Sequence, residues 1–344
     1  MIAAQVVVTV VLFLFAIRLL GAATDALTPS LKRVLDRVIV DDRSALGLSW
    51  IASYVLANGS IVAALSLSLF NSGLILPSQL FLMIVGSRLG GAAVVVFIGA
   101  FDYLNEEIES LRESTSLGLL TFLLTHSIYL PAMALGYVAM PVIRTGEGHS
   151  QMLPDLEVSL PDVISVAADG IIDSVGAGIA FLLAIGCILV SLQLFDHILD
   201  GIDKERLRRR YVSRLQDKWV SFGLGLIVTA ATTSVAFSLG VIVPLYNRGH
   251  IKRNEIMPFV LGANIGTLFD TLIVAIALNM DVGVLTVLVV VTGGTVISVV
   301  VLVFYAPYSR LIDRVQNRII DNRGYFISVL LSLLLVPLLL IVFP

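Results

Sequence analysis

Two stretches of sequence decide the fold of this chain: VLANGSIVAALSLSLFNSGLILPSQLFLMIVGSRLGG at residues 55–91 and ATTSVAFSLGVIVPLYNRGHIKRNEIMPFVLGANIGT at residues 231–267. A shift of 176 residues superimposes them without a gap, pairing Asn71 with Asn247, Gly73 with Gly249, Gly86 with Gly262 and Gly90 with Gly266. Residues 10–100 and 181–276 share one order: an apolar run, a charged amphipathic segment, an apolar stretch rich in small polar residues, and a helix opening on a glycine motif. This order indicates an internal repeat.

The composition sets the class of protein. Of the 344 residues, 58% are hydrophobic and only 14% are charged, whereas soluble domains carry about 25% charged residues. The apolar excess is too large for the interior of a soluble protein of this length. A net charge of −3 and a single cysteine, Cys187, point to neither nucleic-acid binding nor an intramolecular disulfide. We therefore expect an all-α polytopic membrane protein.

Seven apolar runs have the length of about 20 residues that a bilayer crossing needs. They are predicted at 2–20, 78–101, 117–140, 172–195, 255–278, 283–306 and 325–343. The first run lacks a preceding positive residue and has a counterpart in the repeat, so we expect a retained helix rather than a cleaved signal peptide. Charged amphipathic helices in the membrane interface are expected at 24–43, 199–219 and 309–323.

Two further apolar stretches, 46–70 and 221–246, are crowded with Ser, Thr, Gly and Asn. Broken backbone at membrane depth persists only where it is buried in protein or lines a wet cavity. We expect both stretches to form re-entrant helical hairpins. With hairpins that return to their own side, the two repeats enter from opposite sides, which is the inverted structural repeat typical of secondary transporters.

Positive charge orients the chain. Seven Lys or Arg residues lie at 196–218, four at 307–323 and three at 248–253, whereas the acidic loop 141–173 carries one. The basic segments are therefore expected in the cytoplasm together with the N-terminus, and the acidic loop outside a multi-pass cell membrane protein. The expected organisation is a first repeat at 1–116, a connecting helix and acidic loop at 117–171, a second repeat at 172–282, and C-terminal helices at 283–344.

Small polar residues mark the centre of each predicted hairpin. The first contributes Asn58, Gly59 and Ser60, and the second contributes Thr233 and Ser234 after Thr232. Hydroxyls, freed carbonyls and helix N-termini at such positions coordinate cations or hold anions. The alternative is that these residues only allow helices to pack closely, but their matched positions in two repeats favour a binding site.

Ionisable residues accompany the glycine motifs VGSRLGG at 85–91 and LGANIGT at 261–267. Asn264, Thr267 and Thr271 fall on one helical face, with Asp270 beside it. A carboxylate within an apolar run is a functional hypothesis, and beside hydroxyls it suits Na⁺ or a proton. Arg88 takes the position of Asn264 in the first repeat, as an anion ligand through its planar donors or as the counter-ion of Asp270.

Other chemistries lack support in the sequence. The four histidines do not cluster at metal-ligand spacing, so no transition-metal site is expected. No nucleotide-binding loop, nucleophile elbow or HExxH motif is present. We expect neither an enzyme nor a bound organic cofactor.

The chain resembles the type II sodium–phosphate cotransporter family over most of 10–105 and 180–280. The resemblance is carried by FLFAIRLLG at 13–21, LKRVLDRV at 31–38, GLSW at 47–50 and PFVLGANIGT at 258–267. It implies Na⁺-coupled uptake of inorganic phosphate through an inverted-repeat fold with two re-entrant hairpins.

In that family a Gln-Ser-Ser-Ser motif in each repeat forms the central substrate and sodium site. Here the aligned positions read Ala57, Asn58, Gly59 and Ser60, and Thr233, Ser234, Val235 and Ala236. The resemblance carries ligand roles to Ser60, Ser234, Asn264 and Thr267, with Asn58 and Thr233 as substitutes, and it leaves Arg88 and Asp270 as elements that the family lacks.

The sequence thus predicts a secondary active transporter for phosphate or a related small oxyanion, with Na⁺ as coupling ion and the lipid bilayer as its surroundings. Substrate contacts are expected from Asn58, Gly59, Ser60, Arg88, Thr233 and Ser234, and sodium contacts from Asn264, Thr267, Asp270 and Thr271. Two alternatives stay open: a non-transporting membrane scaffold or regulator with a degenerate site, and an anion or cation channel.

Overall fold

The structure is a computed structural model that describes residues 2–105, 108–144, 162–200, 215–233, 238 and 253–343. All regular secondary structure in these ranges is α-helical. The helices are α1 Ile2–Val38, α2 Asp42–Val55, α3 Gly59–Asn71, α4 Pro77–Asn105, α5 Ile108–Arg144, α6 Asp162–Val175, α7 Ala177–Asp200, α8 Lys218–Thr232, α9 Arg253–Gly266, α10 Leu268–Ala277, α11 Asp281–Val303, α12 Tyr305–Asp321 and α13 Arg323–Val342.

Each predicted apolar run corresponds to a helical segment long and apolar enough to cross a membrane. The seven segments are Ala4–Val38, Pro77–Phe97, Ser116–Met140, Ala177–Leu199, Glu255–Ala277, Asp281–Val303 and Arg323–Val342. The all-helical, multi-span prediction is therefore confirmed. The apolar stretches 46–70 and 221–246 contain shorter helices instead, namely α2, α3 and α8.

The charged segment 24–43 does not form a separate interfacial helix as predicted. Helix α1 continues through Pro29 to Val38, and α2 begins only at Asp42. Leu31 and Leu35 pack against the hydrophobic core, which keeps this end of α1 against the protein. Asp41 then caps α2, because its side chain accepts a hydrogen bond from Ser44 N at 2.8 Å.

A glycine divides the run predicted at 172–195. Gly176 has a φ of +82°, a left-handed conformation that ends α6 and that glycine adopts at little steric cost. Residues 162–173, predicted as the end of the acidic loop 141–173, belong to helix α6, which packs on α1 and α7. Residues 145–161 of that loop lie outside the described residues.

The glycine motifs lie inside helices rather than at their beginnings, in contrast to the prediction. VGSRLGG occupies the middle of α4, and LGANIG forms the last turns of α9. Their glycines allow close approach, because a Cβ on Gly86 would collide with Leu46 O in α2 and one on Gly262 with Phe222 O in α8. The pairs α2–α4 and α8–α9 therefore pack backbone to backbone.

The contacts of the two helix pairs match at the shift of 176 residues. Gly90 meets Trp50 and Ser53, whereas Gly266 meets Leu226 and Thr229, the residues 176 positions later. The last turns also match: Ala57, after α2, has a φ of +49°, and Thr233, after α8, has a φ of +51°. Local packing thus follows the sequence repeat.

Helix α5 joins two hydrophobic clusters. Its residues Leu119 and Phe122 belong to a large cluster with α1, α3, α4, α7 and α11, whereas Leu120 and Leu124 belong to a smaller one with α9. Helix α5 therefore packs against both α4 and α9.

The amphipathic helix predicted at 309–323 is present as α12. Ile312, Gln316 and Ile319 are buried, whereas Arg310 and Arg314 are exposed. Gln316 Nε2 reaches across to α5 and donates to Ser116 Oγ at 2.9 Å. Residues 201–214, most of the other basic segment, lie outside the described residues.

We expect Gly262→Ala to lower the thermal stability of the purified protein, because its Cβ would collide with the backbone of α8. Overpacking of this kind costs about 1–3 kcal/mol. Gly186→Ala in α7 is the control, since a Cβ there meets no atom within 4 Å and alanine favours helix. Equal melting temperatures for both variants in detergent would contradict the close packing of α8 on α9.

Candidate functional site

A cavity of about 320 Å³ is bounded by residues of several helices. It lies between the α2–α3 break, the C-terminal end of α8, and the facing sides of α4, α5, α7 and α9. Its polar residues come from five separate parts of the chain, at 58–88, 121–129, 196, 232–233 and 264–267. The cavity is therefore a product of the tertiary structure.

Seven of the ten residues predicted to bind substrate or sodium line this cavity. They are Asn58, Gly59, Ser60, Arg88, Thr233, Asn264 and Thr267. Asp270 and Thr271 are buried beside it without contributing to its wall. Ser234 lies outside the described residues.

Two helix breaks face the cavity. At the first, Asn58 Oδ1 caps α3 by accepting from Ser60 N at 2.9 Å and from Ile61 N at 3.2 Å. At the second, α8 ends with Thr233 in the left-handed conformation. A left-handed residue other than glycine costs of the order of 1–3 kcal/mol and persists where the surroundings fix it. Both breaks therefore present polar backbone and side chains to the same space.

An ion pair lies behind the cavity wall. Arg88 Nη2 of α4 lies 3.3 Å from Asp270 Oδ1 of α10 and donates to Thr271 Oγ1 at 2.6 Å. The Thr271 hydroxyl in turn donates to Asp270 Oδ1 at 2.8 Å, and Thr271 N donates to the same oxygen. Arg88 and Asp270 are both buried. The counter-ion interpretation of Arg88 thus has a direct structural basis.

Arg88 also keeps donors for a second partner. It contributes to the cavity wall, and its Nε has no hydrogen-bond partner among the described residues. A guanidinium carries five N–H donors in a planar fork, and the fork matches the oxygens of a carboxylate or phosphate. One edge of Arg88 can therefore pair with Asp270 while another meets a ligand.

Asn264 holds the matching position on α9. Its backbone carbonyl accepts from Tyr129 Oη at 2.7 Å. Thr125 Oγ1 lies 3.1 Å from Asn264 Oδ1 and 2.8 Å from Thr121 O. Because one hydroxyl carries one proton, Thr125 donates to only one of them at a time. The Asn264 Nδ2 group is buried and has no hydrogen-bond partner among the described residues.

The sequence did not single out several cavity residues. They are Ser87, Thr121, Thr125, Tyr129 and Asp196, together with apolar neighbours from α4 and α7. Thr121, Thr125 and Tyr129 recur at intervals of four residues, so they share one face of α5. That spacing was visible in the sequence, but nothing local showed that this face meets the two repeats.

Metal-ligating side chains do not cluster in the part of the chain that the structure describes. No group of three His, Cys, Asp or Glu residues there could hold a metal ion. The chemistry of the cavity is that of a guanidinium, the carboxylate of Asp196, hydroxyls, amides and backbone groups, which suits the binding of small ions.

We expect Asp270→Asn to destabilise the protein strongly, since it leaves the Arg88 guanidinium buried without its counter-ion. Removing one partner of a buried ion pair typically costs about 3–5 kcal/mol. Asp281→Asn, at an exposed position in the first turn of α11, should change stability by less than about 1 kcal/mol. Similar thermal unfolding of both variants in detergent would argue against the Arg88–Asp270 pair.

Part of the chain is similar to a known protein family. Residues 187–310 match the family model described as Na+/Pi-cotransporter. They extend from α7 to α12 and include Asn264, Thr267 and Asp270. The family is one of transporters rather than enzymes.

One relative is an uncharacterized protein, YqeW, of Bacillus subtilis (strain 168), which is 27% identical over 96 residues. The match covers 28% of this chain and 31% of that protein. No solved structure matches the chain.

The family match and the seven apolar helices together describe a multi-pass membrane protein with the features of a transporter. The similarity of residues 187–310 to the Na+/Pi-cotransporter family agrees with the resemblance found in the sequence.

Proposed function

We propose that this protein is a secondary active transporter that couples Na⁺ to the symport of inorganic phosphate or a related small oxyanion across the plasma membrane. The observation that carries the proposal is the central cavity, where an arginine and two matched helix breaks face one space. Its volume of about 320 Å³ is at the lower end for small-molecule pockets. The family of residues 187–310 supports a transported phosphate and a coupling sodium ion.

The proposed architecture is an inverted repeat, with residues 1–116 and 172–282 as its halves and the N-terminus in the cytoplasm. Helices α2 and α3 form the first re-entrant hairpin, and α8 begins the second. Matched glycine contacts and matched left-handed residues support equivalent halves. Residues 117–171 then connect the halves, and residues 283–344 add the C-terminal helices.

The oxyanion is assigned to the side of the cavity where α3 begins. Arg88 supplies charge and planar donors, and Ser60 and Thr233 supply hydroxyls. The first turn of α3 adds the positive end of its helix dipole, and Gly59 lets that turn approach Ser87 O of α4 closely. Asn58 caps this turn and shapes the wall. Ser234, next to Thr233, belongs to the same proposed site.

The sodium ion is assigned to the side of the cavity formed by α9. Asn264 and Thr267 offer an amide and a hydroxyl where the helix ends at Gly266. Oxygen ligands at such helix ends are the usual coordination of Na⁺ in transporters. Asp270 and Thr271 remain predicted sodium ligands, but Arg88 already contacts both side chains.

The uptake of radiolabelled phosphate into proteoliposomes tests this function. We expect accumulation under an inward Na⁺ gradient and none when K⁺ replaces Na⁺ or when the vesicles lack protein. Uptake that follows membrane potential without a sodium gradient would identify a channel. If the protein shows no uptake and no thermal shift with phosphate, sulfate or arsenate, the scaffold alternative remains. The reason is that a ligand that binds the folded state must raise its stability.

Ser60→Ala should raise the KM for phosphate uptake roughly tenfold, because a hydrogen bond to a charged ligand contributes about 1.5–3 kcal/mol. Ser328→Ala is the matched control, since Ser328 is exposed on α13 and its hydroxyl bonds only to Gly324 O, at 2.8 Å. An unchanged KM for phosphate uptake in Ser60→Ala would show that Ser60 does not bind the oxyanion.

A further inference from the structure

We propose that the Arg88 guanidinium is the resident cation of Asp270, in the place that a bound coupling ion would otherwise occupy. The inference rests on the proposed function only in naming that ion as sodium. It assigns Asp270 and Thr271 to a cation site that the chain fills with its own side chain.

Arg88 and Asn264 each lie between two glycines of a matched motif. Gly86 and Gly90 precede and follow Arg88 by two residues, and Gly262 and Gly266 flank Asn264 in the same way. Because these glycines make matched contacts with α2 and α8, Arg88 and Asn264 hold equivalent places on the cavity wall. A positive charge thus stands in one half where the other half has a neutral amide.

The Arg88 guanidinium contacts two neighbouring oxygen atoms of α10. Asp270 Oδ1 and Thr271 Oγ1 both lie within 3.3 Å of Arg88 Nη2. A carboxylate oxygen next to a hydroxyl oxygen is the kind of ligand pair that an alkali cation takes. Here an N–H of Arg88 already meets both oxygens.

Arg88 balances the charge of Asp270. A carboxylate among membrane-spanning helices requires a cation, a proton or water, and the side chain of Asp270 is only 4% exposed. Arginine does not lose its proton in proteins, and its covalent tether prevents it from dissociating. The charge of Asp270 is therefore balanced permanently, whether or not Na⁺ is present.

The permanent charge of Arg88 changes how many sodium ions can be coupled to transport. Sodium that binds in a transport cycle adds positive charge only when it is present, whereas Arg88 adds it always. Sodium dependence is then confined to the side of Asn264 and Thr267, and this chain couples one cation fewer than a variant with a neutral residue at 88.

The test is sodium-specific stabilisation of the purified full-length chain in detergent, with N-methylglucamine replacing Na⁺ at constant ionic strength. Arg88→Asn frees the Asp270 carboxylate, so we expect sodium to raise its melting temperature by roughly 2–4 °C more than that of the unchanged protein. Arg88→Lys keeps a tethered cation and should show no such gain. The double variant Arg88→Asn, Asp270→Asn lacks the carboxylate and should lose the gain.

An equal sodium response in Arg88→Asn and the unchanged protein would overturn the inference, as would a gain that survives in the double variant. Thr271→Val serves if Arg88→Asn does not fold, because it removes a predicted sodium ligand at nearly constant volume. We expect unchanged binding of radioactive sodium in Thr271→Val, and a tenfold loss of affinity would show that sodium binds at Thr271 and overturn the proposal.

These measurements use no oxyanion, so their outcome separates from that of the uptake assay. If the protein takes up phosphate with sodium but sodium does not raise the melting temperature of Arg88→Asn further, the proposed function holds and the inference about Arg88 is wrong. The reverse pattern would keep Arg88 as a resident cation in a protein that does not transport phosphate.

Discussion

The buried pair of Arg88 and Asp270 is the interaction on which the centre of this protein depends. Taking two charges out of water costs several kcal/mol for each ion, so neither charge is tolerable there without the other. Arg88 belongs to α4 and Asp270 to α10. Because the two buried charges must stay paired, the ion pair holds these helices next to each other. Helix α10 continues α9 almost without a break, so the same contact sets the width of the cavity between α4 and α9.

Close packing of small residues makes this arrangement possible. Gly86 and Gly262 bring α2 against α4 and α8 against α9, and Gly59 lies where a Cβ would collide with Ser87 O. From the sequence, the small residues of the predicted hairpins could serve either to pack helices closely or to form a binding site. In the structure Gly59 does both, because it packs on α4 and also lines the cavity. The helix break reaches the cavity because its backbone approaches α4 so closely.

Local pattern predicted much of the fold and part of the site. The seven spans followed from apolar length, and the matched packing of the helix pairs followed the repeat that aligns Arg88 with Asn264. Errors arose where a single residue or a tertiary contact decides the outcome. Gly176 ended a helix inside an apolar run, and Leu31 and Leu35 kept a charged segment in α1 through contacts that no local pattern reveals.

By itself, the sequence determined the membrane class, the repeat, the family resemblance and most of the polar residues that meet at the centre. These are properties of composition and spacing, which are fixed along the chain. Only the tertiary structure decided that Arg88 pairs with Asp270, 182 residues away, and that α5 supplies Thr125 and Tyr129 to the same wall. The partner of a buried charge is set by where helices pack in three dimensions, and the spacing of residues within one helix carries no information about that.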